Sequence, residues 1–282
     1  MPDLAQHQSA QTTKVLVLGD SGGGKTGALA SLAASGYNLR IIDVDNGLDV
    51  LANLLTDPSS EYLKRDPKAL ERVKYETLTD SMKASGGSIR PAKATVWQRA
   101  VKLLEDWPGL GSVTTWTPQD VLVIDSLTML STAALNFILA LNGRLGGHPQ
   151  LQDWGAGQTL IESFVQALYD ESVRCNVVMN CHIKYVGEEN GPARGYPNTL
   201  GQALPPKIGR YFNSILLVRS VGQGTKLSRK VLTSPTGLIE LKNTAPLKVQ
   251  AEYDLAWGLA DYFAAVRQTT QETVPTNIAR IK

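Results

Sequence analysis

The sequence predicts an α/β fold: a mostly parallel sheet with helices on both faces. Three observations point to it. Short apolar runs recur at residues 14–19, 39–43, 121–125 and 176–181. Segments of helical character separate them, and a glycine-rich loop follows the first run at once. Parallel strands buried on both faces read as continuous apolar runs rather than alternating ones, and strands alternating with helices are the mark of a parallel sheet.

Taken in order, residues 14–19 form a buried strand ending at a glycine, and residues 25–35, rich in Ala and Leu, a helix. Residues 39–43 are a second strand, 47–70 a helical stretch broken near Asp57 and Pro58, and 73–78 a third strand. Residues 79–93, with two adjacent glycines, read as a mobile loop, 94–107 as a helix, and 108–119 as a second loop. The strand at 121–125 is the cleanest in the chain, four apolar residues and then an acid. Helices follow at 126–142 and 156–173, then a strand at 176–181. Residues 185–206 read as a long functional or disordered loop. Strands near 214–219, 229–233 and 238–242 and a helix over 254–266 complete one domain over 14–266. A flexible segment, 1–13, precedes it and a polar tail, 267–282, follows.

Composition narrows the function classes. Lys and Arg number 28 against 26 Asp and Glu, so the chain is no polycation and any nucleic-acid contact must be a local patch. The two cysteines, Cys175 and Cys181, have no metal-ligand spacing and make no disulfide framework; they read as small core thiols. No apolar run approaches the roughly 18 residues that span a bilayer. A soluble cytoplasmic protein without a membrane partner is expected.

Gly19-Asp20-Ser21-Gly22-Gly23-Gly24-Lys25-Thr26, followed by Gly27, fits the phosphate-loop pattern G-x-x-x-x-G-K-[ST]. Glycines let backbone N–H groups turn inward around an anion. The helix that starts at Lys25 aims its positive end at the same point. Lys25 is expected to neutralise β- and γ-phosphates and the Thr26 hydroxyl to ligate Mg²⁺, which makes ATP and Mg²⁺ the expected cofactors. An apolar strand before the loop and a helix after it set it apart from an ordinary glycine-rich turn.

Acids end two strands on the edge where α/β sheets bind ligands. Asp125 is placed to hold Mg²⁺, commonly through water; capping of the next helix by Asp125 or Ser126 is compatible with that role. Asp43 and Asp45 close the second strand, and only one of them need face the γ-phosphate. Asp45 is the candidate base that orients an attacking water, with helix capping as the alternative.

Three segments together resemble the RecA family. Ile42-Asp-Val-Asp-Asn-Gly-Leu-Asp49 is similar to its Ile-Asp-Ala-Glu-His-Ala-Leu-Asp, residues 121–126 resemble its Val-Val-Asp-Ser, and Asn180-Cys-His182-Ile-Lys184 resembles its Asn-Gln-Ile-Arg. The resemblance implies a RecA-like core, a catalytic carboxylate at Asp45 and a γ-phosphate sensor at His182. Gly201-Gln-Ala-Leu204 resembles Gly-Asn-Ala-Leu at the end of that family's second DNA-binding loop, which would be residues 185–200 here. Lys242 and Asn243, with Pro246 behind, resemble the segment that reaches a neighbouring subunit's ATP, which implies a trans role for Lys242; lysines guarding a strand edge are the rival reading. The acidic segment and Leu204-Pro-Pro-Lys-Ile-Gly-Arg-Tyr-Phe212 look closer still to RecA-core single-strand annealing ATPases of phage recombination, the Sak group. Asp in place of Glu at 45, and no oligomerisation helix evident before residue 14, fit an annealing or accessory ATPase better than a strand-exchange enzyme.

The stretch 184–210 carries Lys184, Arg194, Lys207 and Arg210 with Tyr185 and Tyr196 interleaved, bases for phosphates and rings for stacking. Glu188 and Glu189 dilute that charge, so a solvated loop is the alternative. The expected function is an ATP-dependent recombination ATPase that binds single-stranded DNA as a homo-oligomer, filament or ring. The rivals are a RecA-core helicase or loader, and a nucleotide-switched module that binds a protein partner such as a single-strand-binding protein.

Overall fold

The computed structural model describes residues 11–188, 191–222, 224 and 227–267. The segments 1–10 and 268–282 of the expected terminal regions lie outside them. The elements run β1 (Lys14–Leu18), α1 (Lys25–Ala34), β2 (Asn38–Asp43), α2 (Asp49–Thr56), α3 (Glu61–Arg65), β3 (Val73–Thr77), β4 (Ser81–Ser85), β5 (Ser88–Lys93), α4 (Val96–Glu105) and β6 (Asp120–Asp125). They continue with α5 (Leu127–Leu141), α6 (Leu151–Leu168), β7 (Asn176–Cys181), β8 (Ile183–Glu188), β9 (Gly191–Pro197), α7 (Pro205–Ile208), β10 (Ser214–Val221), β11 (Ser228–Leu232), β12 (Glu252–Asp254) and α8 (Leu255–Arg267).

Eight strands form one sheet in the order β3-β2-β6-β7-β1-β10-β11-β12. Every pairing from β3 through to β10 is parallel; β11 and β12 add antiparallel pairings at one edge. The fold class is the one expected. Strand β7 lies between the phosphate-loop strand β1 and the acidic strand β6, so the ends of three strands converge on one spot.

Alternation within the buried strands divides the core. Leu16, Leu18, Ile42, Leu122, Ile124, Val177 and Met179 face α4, α5 and α6. Val15, Val17, Ile41, Val121, Val123, Val178, Leu216 and Val218 face α1, α2 and α8. Each such side chain fully removed from water contributes about 1.5–3 kcal/mol. Both cysteines are buried and unpaired within this core. Burial pushes the Cys181 thiol up to about 11 and the Cys175 thiol up to about 12, which leaves neither a ready nucleophile.

The structure departs from expectation at four places. Residues 79–93 are not a loop throughout: β4 and β5 pair as an antiparallel hairpin whose turn is Gly86-Gly87, both at positive φ. Residues 185–206 likewise hold the paired strands β8 and β9 before α7. The helix expected at 156–173 starts at Leu151 and ends at Leu168. The Asp153 carboxylate accepts the Gln150 N–H at 2.7 Å and fixes that start. Gly157, inside that helix, is a packing glycine: a Cβ there would stand 2.5 Å from Leu200 Cδ2. Finally, no strand forms at 238–242, only single bridges from Ile239 to Gly195 and from Lys242 to Ile215. The edge beside β11 is taken by β12, a three-residue strand that the sequence did not announce.

Candidate functional site

The cleft at the carboxyl ends of β1, β6 and β7 has a volume of about 630 Å³. Ser21, Gly22, Gly24, Lys25, Thr26 and Gly27 form one wall, and Asp45, Asp125, Met129, His182 and Arg229 converge from elsewhere in the chain. The phosphate loop is held between strands: Gly19 N–H donates to the Cys181 carbonyl of β7 at 3.2 Å. Gly24 precedes α1 at φ 106°, a left-handed conformation that suits glycine, and a Cβ there would lie 2.4 Å from Leu255 Cδ2.

Lys25 is buried, and its ammonium donates to the carbonyls of Gly19 (2.9 Å) and Asp20 (3.0 Å), closing the loop. Burial lowers its pKa, opposed by the carboxylate of Asp125, by Cys181 and by Asp45 and Asp20. The Thr26 hydroxyl donates to Asp125 Oδ2 at 2.7 Å. The two oxygens that chemistry assigns to a hard cation are thus in contact. Among the described residues no group of three or more His, Cys, Asp or Glu makes a protein-only metal site. The Thr26 hydroxyl and the Asp125 carboxylate are hard oxygen donors, a pair that suits Mg²⁺ shared with phosphate oxygens.

Asp125 is almost fully buried, and burial pushes its pKa up to about 6, aided by Asp45 and Asp43 and opposed by the Thr26 hydroxyl and the Asn180 amide. Asn180 is its cross-strand partner on β7 and fully buried. Its amide stands close enough to favour the carboxylate, yet neither polar atom reaches a well-aligned hydrogen bond. The peptide between Asp125 and Ser126 is cis.

The two acids at the end of β2, Asp43 and Asp45, part company. Asp43 is buried and structural: it accepts from Thr77 Oγ1 at 3.0 Å and from Gly47 N–H at 3.2 Å. Asp45 faces the cleft, and its Oδ1 accepts both the backbone N–H (3.1 Å) and the hydroxyl (2.8 Å) of Ser126. One carboxylate oxygen is thereby fixed. Ser126 also caps α5, accepting from Met129 N–H. Capping and site chemistry therefore meet in one residue, as the sequence allowed.

His182 sits one residue past β7. Its N–H donates to Thr128 Oγ1 (3.0 Å) and its carbonyl accepts from Asn198 N–H (2.8 Å), which ties it to α5 and closes the base of the β8–β9 hairpin. Burial, then the nearby Lys25 ammonium, lower its imidazole pKa, so it is neutral at neutral pH.

The expected nucleic-acid residues are divided. Lys184 pairs opposite Tyr196 and Val186 opposite Arg194, so Lys184, Tyr196 and Arg194 share one face of the hairpin. Tyr185, about half exposed, is on the other face near Asp20 of the phosphate loop, where burial and that carboxylate raise its pKa. Arg194, Tyr196, Arg210 and Lys242 line a separate cavity of about 510 Å³. Arg210 pairs with Glu162 at 3.1 Å and lies over the Tyr211 ring, while Lys207 is exposed on α7. Lys242 does not line the phosphate-loop cleft of its own chain. Sequence reasoning missed Arg229 as a wall of that cleft. No motif marks it, and only the pairing of β11 with β10 carries it there.

No curated protein matches this chain. Among solved structures, it is similar to the KaiC-like protein PH0186 from Pyrococcus horikoshii OT3, at 12% identity over 82% of each chain and a TM-score of 0.41. It is also similar to the flagellar accessory protein FlaH from Methanocaldococcus jannaschii, at 12% identity over 85% of this chain and 83% of that one, TM-score 0.42. The RadB recombinase is 16% identical over 78% and 79% of the two chains, TM-score 0.43. No helix of the described residues is long and apolar enough to cross a membrane. Residues 11–243 match the AAA domain family, and the chain belongs to that family.

Proposed function

We propose that this chain is an ATP-dependent, single-stranded-DNA-binding ATPase of the annealing kind found in phage recombination, active as a homo-oligomer. The observation that carries the reading is the join between cleft and hairpin. His182 lines the nucleotide cleft, and the next residue begins the hairpin that bears Lys184, Arg194 and Tyr196. Tyr185 from that hairpin stands beside Asp20 of the phosphate loop.

In this reading the phosphate-loop amides and Lys25 hold the β- and γ-phosphates of ATP. Thr26 and Asp125 would hold Mg²⁺, which supplies charge neutralisation on the phosphates when bound. Asp45, fixed by Ser126 through one oxygen, uses the other to orient water for in-line attack on the γ-phosphorus. Neutral His182 is a hydrogen-bond partner for the γ-phosphate, and its tether to Asn198 passes a shift on to the hairpin. Lys242 acts on a neighbour's nucleotide across an oligomer interface. The pairing of Arg210 with Glu162 favours a second reading, a nucleotide-switched surface for a protein partner, because it removes one cation from DNA.

Fluorescence anisotropy with a labelled oligonucleotide tests the first reading. Lys184→Ala with Arg194→Ala should weaken binding about tenfold or more and flatten its salt dependence. Unchanged affinity in the double variant would move the reading to the protein-partner switch.

A further inference from the structure

The β10–β11 edge has no part in the chemistry described so far, yet it delivers a cation to the cleft. Val231 packs into the core layer beneath α1 and α8. Strand alternation puts Arg229, two residues earlier, on that same face, towards the start of α1. The register sets Arg229 opposite Ser220. Its side chain then crosses the phosphate loop: the Cδ stands 3.3 Å from where a Cβ of Gly24 would be. Its alkyl stem lies on the glycine, and the residue lines the cleft with Lys25, Thr26 and Asp125. It is exposed, and among the described residues its guanidinium has no hydrogen-bond or ion-pair partner.

Charge gives this placement a purpose. The cleft holds two carboxylates, Asp45 and Asp125, against the single ammonium of Lys25. A polyphosphate adds its own negative charge to these carboxylates, more than Lys25 and a Mg²⁺ held by Thr26 and Asp125 would together offset, which leaves a place for a further cation. Arg229 is that cation, and a planar guanidinium with five donors suits phosphate oxygens. We propose that Arg229 contacts the phosphate chain of the bound nucleotide in cis, clasping it from the β11 side opposite Lys25. This inference rests on the reading of the cleft as a nucleotide site and adds a residue that neither the phosphate-loop motif nor the resemblance contains. It also links nucleotide occupancy to the β10–β11 edge.

The test is equilibrium binding of ADP and of a non-hydrolysable ATP analogue, with Mg²⁺ and without DNA, by calorimetric titration. The proteins are the parent, Lys25→Ala, Arg229→Ala, Arg229→Gln and Arg229→Lys, each also melted without nucleotide. The expected result is a loss of about tenfold or more in affinity for Arg229→Ala and Arg229→Gln. Arg229→Lys should recover part of it, the parent's salt dependence should flatten in the two neutral variants, and melting temperatures should match, since the guanidinium holds nothing in the fold. Arg229→Gln keeps a polar side chain over Gly24, so it separates loss of charge from loss of packing. Parent-like affinity in Arg229→Gln, with binding lost in Lys25→Ala, would overturn the role of Arg229 alone. Equal binding by the parent and Lys25→Ala would overturn the nucleotide-site reading itself.

Discussion

Replacing Asp125 by asparagine should make the nucleotide-free protein more stable, although it removes a residue central to the site. Burial raises the pKa of this carboxyl from 3.8 to about 6. An acid whose folded-state pKa lies above its unfolded value binds more protons when folded than when unfolded between the two. Stability therefore falls as pH rises through that window, and the full penalty is present above its upper end. A rise of that size corresponds to about 3 kcal/mol. Asparagine keeps an oxygen to accept the Thr26 hydroxyl and has no charge to desolvate. It also withdraws a negative charge that supports the Lys25 ammonium, so the net gain is expected at about 1–2 kcal/mol near neutral pH. Urea denaturation of parent and variant without nucleotide, at about pH 7.5 and about pH 4.5, measures it. The gain should be present at the higher pH and shrink at the lower, where the parent's carboxyl is protonated. A variant less stable than its parent near neutrality, or a gain indifferent to pH, would refute the argument that Asp125 is held there against its own solvation.

Three further outcomes follow from the same geometry. Gly24→Ala puts a Cβ 2.4 Å from Leu255 Cδ2 at φ 106°; thermal melting should show a loss of about 2–4 kcal/mol, with nucleotide binding impaired as well. Ser126→Ala removes the hydroxyl that fixes Asp45 and caps α5. Its kcat should fall about tenfold or more with KM little changed, at a stability cost of about 1 kcal/mol; a kcat within twofold of the parent's would contradict the positioning of Asp45. His182→Ala should keep the parent's melting temperature, because the hydrogen bonds to Thr128 and Asn198 use only its backbone, while loss of the imidazole should leave hydrolysis unresponsive to DNA.

Much of the fold was legible because its strands are buried on both faces. Residues 14–18, 120–125 and 176–181 read as strands without help from neighbours, and the loop between β1 and α1 carries its chemistry in its glycines. The two hairpins were not legible in the same way. Strands β4, β5, β8 and β9 are largely exposed and stand outside the main sheet, so they lack the apolar pattern by which strands are read. The Gly86-Gly87 turn was the signal available and was read as a mark of mobility. Strand β12 is three residues long, too short for any period.

The candidate site divides along the same line. Lys25, Thr26, Asp45, Asp125 and His182 each follow a strand end, and the parallel sheet brings those ends together. The separation of Asp43 from Asp45 was open until the Thr77 and Ser126 contacts were seen. Arg229 belongs to no motif, and its place over Gly24 depends on antiparallel pairing at the sheet edge. The nucleic-acid set was read as one linear stretch. The hairpin sorts it by alternation, with Lys184, Arg194 and Tyr196 on one face and Tyr185 turned towards the phosphate loop.

The central claim is that an ATPase cleft is coupled to a nucleic-acid surface. Steady-state ATP hydrolysis with and without single-stranded DNA, at fixed salt and beside Lys25→Ala, tests it most directly. A cleft coupled to the hairpin requires hydrolysis that DNA stimulates severalfold and that Lys25→Ala abolishes. Hydrolysis indifferent to DNA, or turnover retained in Lys25→Ala, would contradict it.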